Sequence, residues 1–140
     1  MTTEKKEKIT TINPLNGKEI KSYEYISADK LIDVIQKCHE AFLEWRQKDV
    51  SKRATVIKAI GKALLENKKE LASLMTDEMG KLLTQSYQEI ELCAAICEYS
   101  AEKAPSEFED IERELEDGER GIISFSPLGV IYGIQPWNYP

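Results

Sequence analysis

The residue in this sequence best suited to chemistry is Asn138, which lies in the proline-bracketed run Pro136-Trp137-Asn138-Tyr139-Pro140. A carboxamide can donate an N–H hydrogen bond to an oxygen that becomes negative during addition to a carbonyl, and its own charge does not change. The two prolines restrict backbone motion around Asn138. A structural interpretation stands beside this one, in which Asn138 serves a turn and Trp137 fills the core. The sequence leaves both open.

The other polar groups do not predict a metal or catalytic site. Cys93 and Cys97 stand four residues apart, but a zinc site needs about four ligands and the single histidine, His39, belongs to another predicted helix. We interpret the two cysteines as core packing residues. We interpret His39 as structural or surface-exposed, because no carboxylate and nucleophile accompany it. Asp77 and Glu78 are interpreted as a solvated helix end.

The composition fits a single soluble domain in the cytoplasm. The chain has 140 residues, of which 41% are hydrophobic and 31% are charged, so it can bury a core. Its net charge of -6 predicts no attraction to nucleic acid or to an anionic membrane. No apolar run approaches the roughly 18 residues of a spanning helix, and the first eight residues lack the apolar core of a signal peptide. Three cysteines, an odd number, favour reduced thiols.

Alternating apolar and polar residues predict a β-hairpin over residues 10–25, with Asn16-Gly17 as a strong turn signal. A first helix should follow, with Ser27 as its N-cap. Its apolar residues recur every three or four positions and should face a core. These residues are Leu31, Val34, Ile35, Cys38, Phe42 and Trp45.

Two further helices complete a predicted three-helix layer. Ser51 should cap a second and longer helix, and Gly80 should end it as a left-handed C-cap. The third helix should begin near Thr84 and end before Pro105, because the residue preceding a proline disfavours the helical conformation. This third helix is predicted to bury Tyr87, Ile90, Ala94, Cys97 and Ala101.

The last third of the sequence contains an acidic stretch and an apolar run. Residues 107–119 carry eight acids against one base, so like-charge repulsion disfavours a helix, and Asp117-Gly118 predicts the turn of a second hairpin. Residues 130–134, Val130 to Ile134, have the pattern of a strand covered on both faces in a parallel sheet. Ligands of such sheets bind beyond the carboxyl ends of the strands, where Trp137 and Asn138 would lie.

With these residues in view, the chain resembles the amino-terminal part of the aldehyde dehydrogenase superfamily from about Ile12 to Pro140. Four stretches carry the resemblance: Ile12-Asn13-Pro14-Leu15-Asn16-Gly17, Trp45-Arg46, Glu78-Met79-Gly80-Lys81, and the run from Pro127-Leu128-Gly129 to Pro140. The third stretch, together with Gln85, Glu89, Cys97 and residues 99–105, makes the chain most similar to succinate-semialdehyde dehydrogenases. One departure is Leu82, where the family usually has proline, and we expect it to loosen that turn without affecting the chemistry.

The resemblance implies a truncated α/β fold with an amino-terminal β-hairpin, a three-helix layer, a bridging hairpin and the first strand of a dinucleotide-binding sheet. Residues 1–140 would be the amino-terminal part of an NAD(P)-binding domain, with the bridging hairpin at about 107–126 and the catalytic domain absent. We therefore expect a truncated gene product or a fragment of a longer enzyme. Because the bridging hairpin of the family pairs with a neighbouring subunit, we also expect a homo-oligomer.

The resemblance further implies oxidation of a small-molecule aldehyde, with succinic semialdehyde as the expected substrate. In the family a cysteine attacks the aldehyde, an asparagine holds the oxyanion, hydride passes to NAD or NADP, and a glutamate activates water. Asn138 matches that asparagine, and Ile134, Gln135, Pro136 and Trp137 match the strand end beside the nicotinamide. No cysteine of this chain matches the nucleophile, so we expect the chain by itself to be inactive. The alternative is a non-catalytic, truncated helical interaction module.

Overall fold

The computed structural model describes residues 8–135 and 138–140. The described α-helices and β-strands, in chain order, are β1 Lys8–Ile12, β2 Glu19–Glu24, α1 Ala28–Trp45, α2 Val50–Glu66, α3 Lys68–Met79, α4 Leu83–Glu107, β3 Ile111–Glu114 and β4 Arg120–Ile123. Strands β1 and β2 form one antiparallel sheet, and β3 and β4 form another. The predicted combination of a helical layer with two hairpins is confirmed. None of the described helices is long and apolar enough to cross a membrane.

The predicted first hairpin is present, and its loop joins it to the helices. Thr10 stands opposite Ser22, and their side-chain oxygens are 2.7 Å apart. Gly17 has a φ of 70°, the left-handed conformation that an Asn-Gly turn requires. Nδ2 of Asn13 donates a hydrogen bond to Oδ1 of Asp77 at 3.3 Å, which connects the loop to α3.

Helix α1 forms as predicted, but the predicted burial of its apolar face is wrong. Its N-cap is Ser27, whose Oγ accepts a hydrogen bond from the backbone N–H of Lys30 at 3.4 Å. Leu31 and Val34 are each 44% exposed and Ile35 is 51% exposed. Among the described elements, no helix or strand packs extensively against α1. The periodic pattern therefore identifies the apolar face of α1 but does not show whether another element packs against it.

The predicted second helix is two helices that meet at Asn67. The side-chain Nδ2 of Asn67 donates to the carbonyl oxygen of Ala63 at 2.8 Å, a local bond that competes with continuation of the helix. The first of the two helices begins one residue before Ser51, with Asp49 at the N-cap position, so the prediction of a Ser51 cap is wrong. Gly80 ends α3 with a φ of 73°, as predicted.

Helix α4 lies at the centre of the packed layer, because both α2 and α3 pack against it. Small residues let α2 approach closely: a Cβ on Gly61 would lie 2.9 Å from Cβ of Cys97 and 3.1 Å from the carbonyl oxygen of Ala94. Ile90 is 2% exposed and Ala72 is fully buried. The predicted burial of Ile90 and Ala94 is confirmed. The remaining predicted core residues of α4 are half-buried: Tyr87, Cys97 and Ala101.

The predicted end of the third helix is wrong, because α4 continues through Pro105 to Glu107. Proline lacks a backbone N–H, but in the last turn of a helix this removes a single helical hydrogen bond. The N–H of Phe108 still donates to the carbonyl oxygen of Ala104 at 3.1 Å. The ring of Phe108 meets that of Phe125 edge-on at 5.6 Å, which connects the end of α4 to the segment after β4.

The second hairpin is confirmed, whereas the strand predicted after it does not form in this structure. Gly118, with a φ of 79°, lies in the turn between β3 and β4. Residues 130–134 pair with no described strand, and Ile131 and Ile134 are 74% and 83% exposed. A strand needs partners for its backbone N–H and C=O groups. Each described sheet is a self-contained hairpin, and neither extends to this segment.

Candidate functional site

Asn138, the predicted catalytic residue, is attached to the helical layer through its backbone. Its carbonyl oxygen accepts a hydrogen bond from Nζ of Lys81 at 3.4 Å. Within the part of the chain that the structure describes, its carboxamide has no hydrogen-bond partner. Among the described residues, therefore, the backbone of Asn138 has a partner and its side-chain N–H groups have none, as an oxyanion donor requires.

Lys81 occupies the link between α3 and α4, directly after the left-handed Gly80. Its side chain is 12% exposed and forms an ion pair with Glu89, whose side chain is 7% exposed. Nζ of Lys81 also lies 4.4 Å from the centroid of the Tyr139 ring, in cation–π contact. One ammonium group therefore joins α4 to two consecutive residues of the terminal segment, Asn138 and Tyr139.

The ion pair between Lys81 and Glu89 was not predicted from the sequence. Both residues were named there only because they contribute to the family resemblance. One signal was available: Glu89 lies on the apolar face of α4, next to Ile90, and a buried carboxylate requires a partner. No local pattern identifies that partner, because Lys81 lies outside the helix. The contact from Lys81 to Asn138 spans 57 residues, beyond the reach of any periodicity argument.

A mainly apolar cavity of about 670 Å³ lies beside Asn138. Most of its wall comes from side chains of α2, α3 and α4: Leu64, Leu71, Leu74, Met75, Met79 and Ile90. Glu78, Glu89 and Asn138 contribute polar groups to the same lining. An apolar pocket of this volume with a few polar groups is typical of small-molecule sites. The arrangement can therefore hold a small organic molecule next to the Asn138 carboxamide.

Glu78 is less solvated than the sequence indicates. The residue is half-buried, and its Oε1 atom is buried without a hydrogen-bond partner among the described residues. The interpretation as a solvated helix end is therefore wrong for Glu78 but holds for its exposed neighbour Asp77. A buried carboxylate oxygen without a partner costs free energy, so Glu78 makes one wall of the cavity polar at the expense of stability.

Two of the four residues predicted to line the nicotinamide, Ile134 and Gln135, lie apart from the cavity beside Asn138. Ile134 and Gln135 are exposed, and neither lines the cavity. Pro136 and Trp137 lie outside the described residues. The predicted contact of these four residues with a cofactor stays a prediction.

The cysteines and the histidine do not form a site with one another. In residues 8–135 and 138–140, no three His, Cys, Asp or Glu side chains are grouped to hold a metal ion. Cys93, Cys97 and Cys38 are free thiols. Cys97 is half-buried at the α2–α4 contact, whereas Cys93 is exposed at the cavity, so its interpretation as a core residue is wrong. The ring of His39 lies 6.2 Å from that of Phe42 within α1.

A second ion pair crosses the same helical layer at the surface. Lys58 of α2 lies 2.5 Å from Glu98 of α4, and both side chains are well exposed. The hydrogen bond to Glu98 and its negative charge hold the pKa of Lys58 above its usual value of 10.5. Because the folded-state pKa is raised, the pair stabilises the fold below pH 10.5 and loses its contribution as pH rises through that pKa. Solvent screening keeps this contribution small.

A model of the aldehyde dehydrogenase family matches residues 1–140. The chain belongs to the aldehyde dehydrogenase family. The predicted family and the predicted fold class, an α/β fold of the aldehyde dehydrogenase type, are both confirmed. The structure of a betaine aldehyde dehydrogenase variant from Staphylococcus aureus shares this fold with a TM-score of 0.85 and 28% identity, over 100% of the present chain and 29% of that one.

Two curated relatives in this family are bacterial succinate-semialdehyde dehydrogenases. The NADP+ enzyme of Deinococcus radiodurans is 38% identical over 130 residues, which cover 93% of this chain and 27% of the relative. The NAD(P)+ enzyme of Escherichia coli K12 is 33% identical over 130 residues, which cover 93% of this chain and 28% of the relative. The chain thus spans little more than a quarter of the length of these relatives.

Two solved structures show the same fold. The crystal structure of an Escherichia coli NADP-dependent enzyme matches with a TM-score of 0.88 and 31% identity, over 96% of this chain and 28% of that one. Succinic semialdehyde dehydrogenase from Streptococcus pyogenes, in complex with NADP+, matches with a TM-score of 0.72 and 28% identity, over 76% of this chain and 24% of that one.

Proposed function

We propose that this chain is the amino-terminal part of an NAD(P)-dependent aldehyde dehydrogenase that oxidises succinic semialdehyde to succinate. The observation that carries the proposal is Asn138, whose backbone is bound by Lys81 and whose carboxamide has no described hydrogen-bond partner at an apolar cavity. The substrate is proposed because relatives at 38% and 33% identity are named succinate-semialdehyde dehydrogenases.

Asn138 acts in this proposal as a donor to the oxyanion. When a nucleophile adds to an aldehyde, the carbonyl oxygen gains negative charge, and a fixed N–H group stabilises that charge more strongly in the transition state than in the ground state. A carboxamide suits this role because it has two N–H donors and no charge of its own. Asn138 is exposed in the 140-residue chain, so in this proposal the remainder of the enzyme must exclude water from the oxyanion.

The nucleophilic cysteine and the glutamate that activates water come from outside these 140 residues in this proposal, because none of Cys38, Cys93 and Cys97 matches the family's nucleophile motif. The purified chain should therefore form no NADH or NADPH from succinic semialdehyde. The absorbance of NADH or NADPH measures this reaction. Reduction of either cofactor by the 140-residue chain would contradict the proposal that the nucleophile and the glutamate lie outside it.

NAD or NADP supplies the hydride acceptor when it is bound. Ile134 and Gln135 fit a place beside the nicotinamide, since an apolar side chain can pack on its ring and an amide can hydrogen-bond to its carboxamide. Both side chains are exposed and are thus available for such contacts. In the proposed enzyme these residues, with Pro136 and Trp137, line the nicotinamide side of the cofactor cleft.

The assembled enzyme is proposed to be a cytoplasmic homo-oligomer, with residues 107–126 as the bridging hairpin. Every residue of β3 is exposed, and β3 pairs on one side with β4. A strand of this kind keeps one edge of unpaired backbone groups available to a neighbouring sheet. The alternative of a non-catalytic interaction module is not favoured, because the family match runs over the whole chain.

The test of the proposed function is Asn138→Ala in a completed enzyme. A chimaera that joins residues 1–140 to the remaining part of the Deinococcus radiodurans relative provides one. Loss of an oxyanion donor should lower kcat by about 10²–10³-fold, or about 3–4 kcal/mol, with little change in melting temperature. Initial rates with succinic semialdehyde and NADP+ measure kcat, and thermal unfolding measures the melting temperature.

Asn16→Ala is the matched control for the structural interpretation of Asn138. Oδ1 of Asn16 accepts a hydrogen bond from the backbone N–H of Lys18 at 2.9 Å, so Asn16 serves a turn. Its loss should lower stability by about 1 kcal/mol and leave kcat unchanged. If Asn138→Ala behaves like Asn16→Ala, melting earlier with normal turnover, Asn138 is not the oxyanion donor.

A further inference from the structure

We propose that Lys81 is a positioning residue that orients Asn138, with Glu89 as the counter-ion that keeps its ammonium group in place. The catalytic meaning of this inference rests on the proposed function, in which Asn138 donates to the oxyanion. The physical claim is independent of turnover: the Lys81 ammonium group orders residues 138 and 139 against the helical layer.

The geometry assigns three partners to a single ammonium group. Lys81 pairs with the carboxylate of Glu89, donates to the carbonyl oxygen of Asn138 at 3.4 Å, and lies 4.4 Å from the ring centroid of Tyr139. An ammonium group has three N–H donors, so it can serve a carboxylate, a carbonyl and an aromatic face together. Because the Lys81 and Glu89 side chains are about nine-tenths buried, water competes weakly for the ion pair between them, whereas Tyr139 is 63% exposed.

The main chain that carries Lys81 is itself fixed. Gly80 has a φ of 73°, and a Cβ at this position would lie 3.2 Å from Cγ of Pro14, so the loop of the first hairpin packs against it. On the other side, α4 begins at Leu83. Lys81 is thus held at both ends and presents its ammonium group from a rigid base.

Other lysines that pair with glutamates of α4 do not have this arrangement. Lys68 pairs with Glu91 and lies 5.0 Å from the ring centroid of Tyr87, so its chemistry is nearly the same. Both of its partners are on α4, however, and among the described residues it forms no hydrogen bond, ion pair or ring contact with residues 138–140. Lys68 is therefore a control for charge and cation–π contact without contact to the terminal segment.

Fixing the carbonyl of Asn138 and the ring of the next residue restricts the backbone dihedral angles between them. The allowed side-chain rotamers of a residue depend on those angles, so an ordered backbone limits the directions that the Asn138 carboxamide can take. Catalytic groups must be held within a few tenths of an ångström, and residues behind them provide that precision. Lys81 would supply this support from behind Asn138.

The test is an NMR measurement of backbone order on the 140-residue chain. In the native sequence the amides of Asn138 and Tyr139 should have order parameters near 0.8, and the ε-methylene protons of Lys81 should be shifted upfield by the Tyr139 ring. In Lys81→Met/Glu89→Met, which removes both charges and leaves neither buried without a partner, the order parameters should fall below about 0.6.

Three variants distinguish positioning from a general loss of structure. Lys81→Arg should keep residues 138 and 139 ordered, because a guanidinium also pairs with carboxylate and carbonyl groups and stacks on an aromatic ring. Lys68→Met should keep them ordered too. Tyr139→Leu should abolish the upfield shift of Lys81. Disorder at Asn138 in the native chain, or native-like order in the double variant, would overturn the proposal.

Activity in the chimaera separates this inference from the proposed function. If both hold, Lys81→Met/Glu89→Met lowers kcat more than it changes KM, and Lys81→Arg restores most of it. If Asn138→Ala leaves kcat unchanged while the double variant still disorders residues 138 and 139, the positioning holds and the oxyanion role fails. If Asn138→Ala lowers kcat while residues 138 and 139 stay ordered in the double variant, Lys81 is not a positioning residue and Asn138 is still the oxyanion donor.

Discussion

Similar apolar residues occur in two parts of the molecule that differ in burial. One part is the layer formed by α2, α3 and α4, and the other comprises α1 and residues 130–134. Ile90, in the layer, is 2% exposed, whereas Ile35 of α1 and Ile131 are 51% and 74% exposed. The difference lies in the partners: α4 has a helix on two sides, while α1 and residues 130–134 have no extensive described contacts with another element. Apolar patterning thus indicates which face can be buried, and long-range contacts decide whether it is.

The largest effect should come from removing a charge inside the packed layer. Lys81→Met leaves the Glu89 carboxylate buried without its counter-ion, which should cost about 3–5 kcal/mol in the free energy of unfolding. Urea unfolding followed by circular dichroism measures this quantity. The matched control is Lys58→Met, whose ion pair with Glu98 is exposed and should change stability little. Equal losses in the two variants would mean that Glu89 is not enclosed by the layer.

The close approach of α2 to α4 predicts the next effect. Gly61→Ala places a Cβ 2.9 Å from Cβ of Cys97, and relieving this overlap should destabilise the fold by about 1–3 kcal/mol. Alanine is otherwise favoured over glycine in a helix by about 1 kcal/mol, so the sign of the change is diagnostic. Ala59→Leu, at an exposed position of α2, should stay within about 0.5 kcal/mol. Stabilisation by Gly61→Ala would show that the helices are further apart.

A smaller effect should separate backbone strain from packing. Gly80 and Gly17 have nearly equal φ values of 73° and 70°, so alanine at either site should cost about 1–2 kcal/mol through strain. A Cβ at Gly80 also meets Pro14 at 3.2 Å, whereas one at Gly17 meets nothing within 4 Å. Gly80→Ala should therefore be the more destabilising in thermal unfolding. The reverse order would mean that the loop does not pack on α3.

Substitutions in the exposed residues 130–134 should change stability least. They should, however, strongly change self-association of the chain. Ile131→Lys/Ile134→Lys should alter the free energy of unfolding by about 0.5 kcal/mol or less at each site. The native chain should self-associate at micromolar concentration through exposed apolar surface, and the double variant should do so less. Light scattering measures the difference. Gln85→Lys/Gln88→Lys adds the same charge at exposed polar positions of α4 and should leave association unchanged.

Local signals predicted the local structure well. Asn16-Gly17 and Asp117-Gly118 located both hairpins, and Ser27 and Gly80 located two helix ends. Each works through a backbone preference or a hydrogen bond within a few residues, so the sequence nearby contains all the information needed.

Features that depend on distant contacts were not predictable in the same way. Residues 130–134 have the composition of a buried strand but no described strand beside them. For the candidate site, the motif pointed to Asn138, while its contact with Lys81 joins residues that are 57 positions apart in the sequence. The ion pair of Lys81 and Glu89 was not predicted, because Lys81 lies before the start of α4 and Glu89 lies within α4.

The cavity beside Asn138 also has a kinetic consequence, because its wall draws on both ends of the sequence. Thr11 and Pro140 both line it, so the lining is complete when residues from nearly the whole described chain have come together. Contacts at large sequence separation form late and slowly, since the loop-closure entropy must be lost before they contribute. During synthesis on the ribosome, α2, α3 and α4 can pack while residues 138–140 are still inside the exit tunnel. The cavity should therefore form after the layer that supports it.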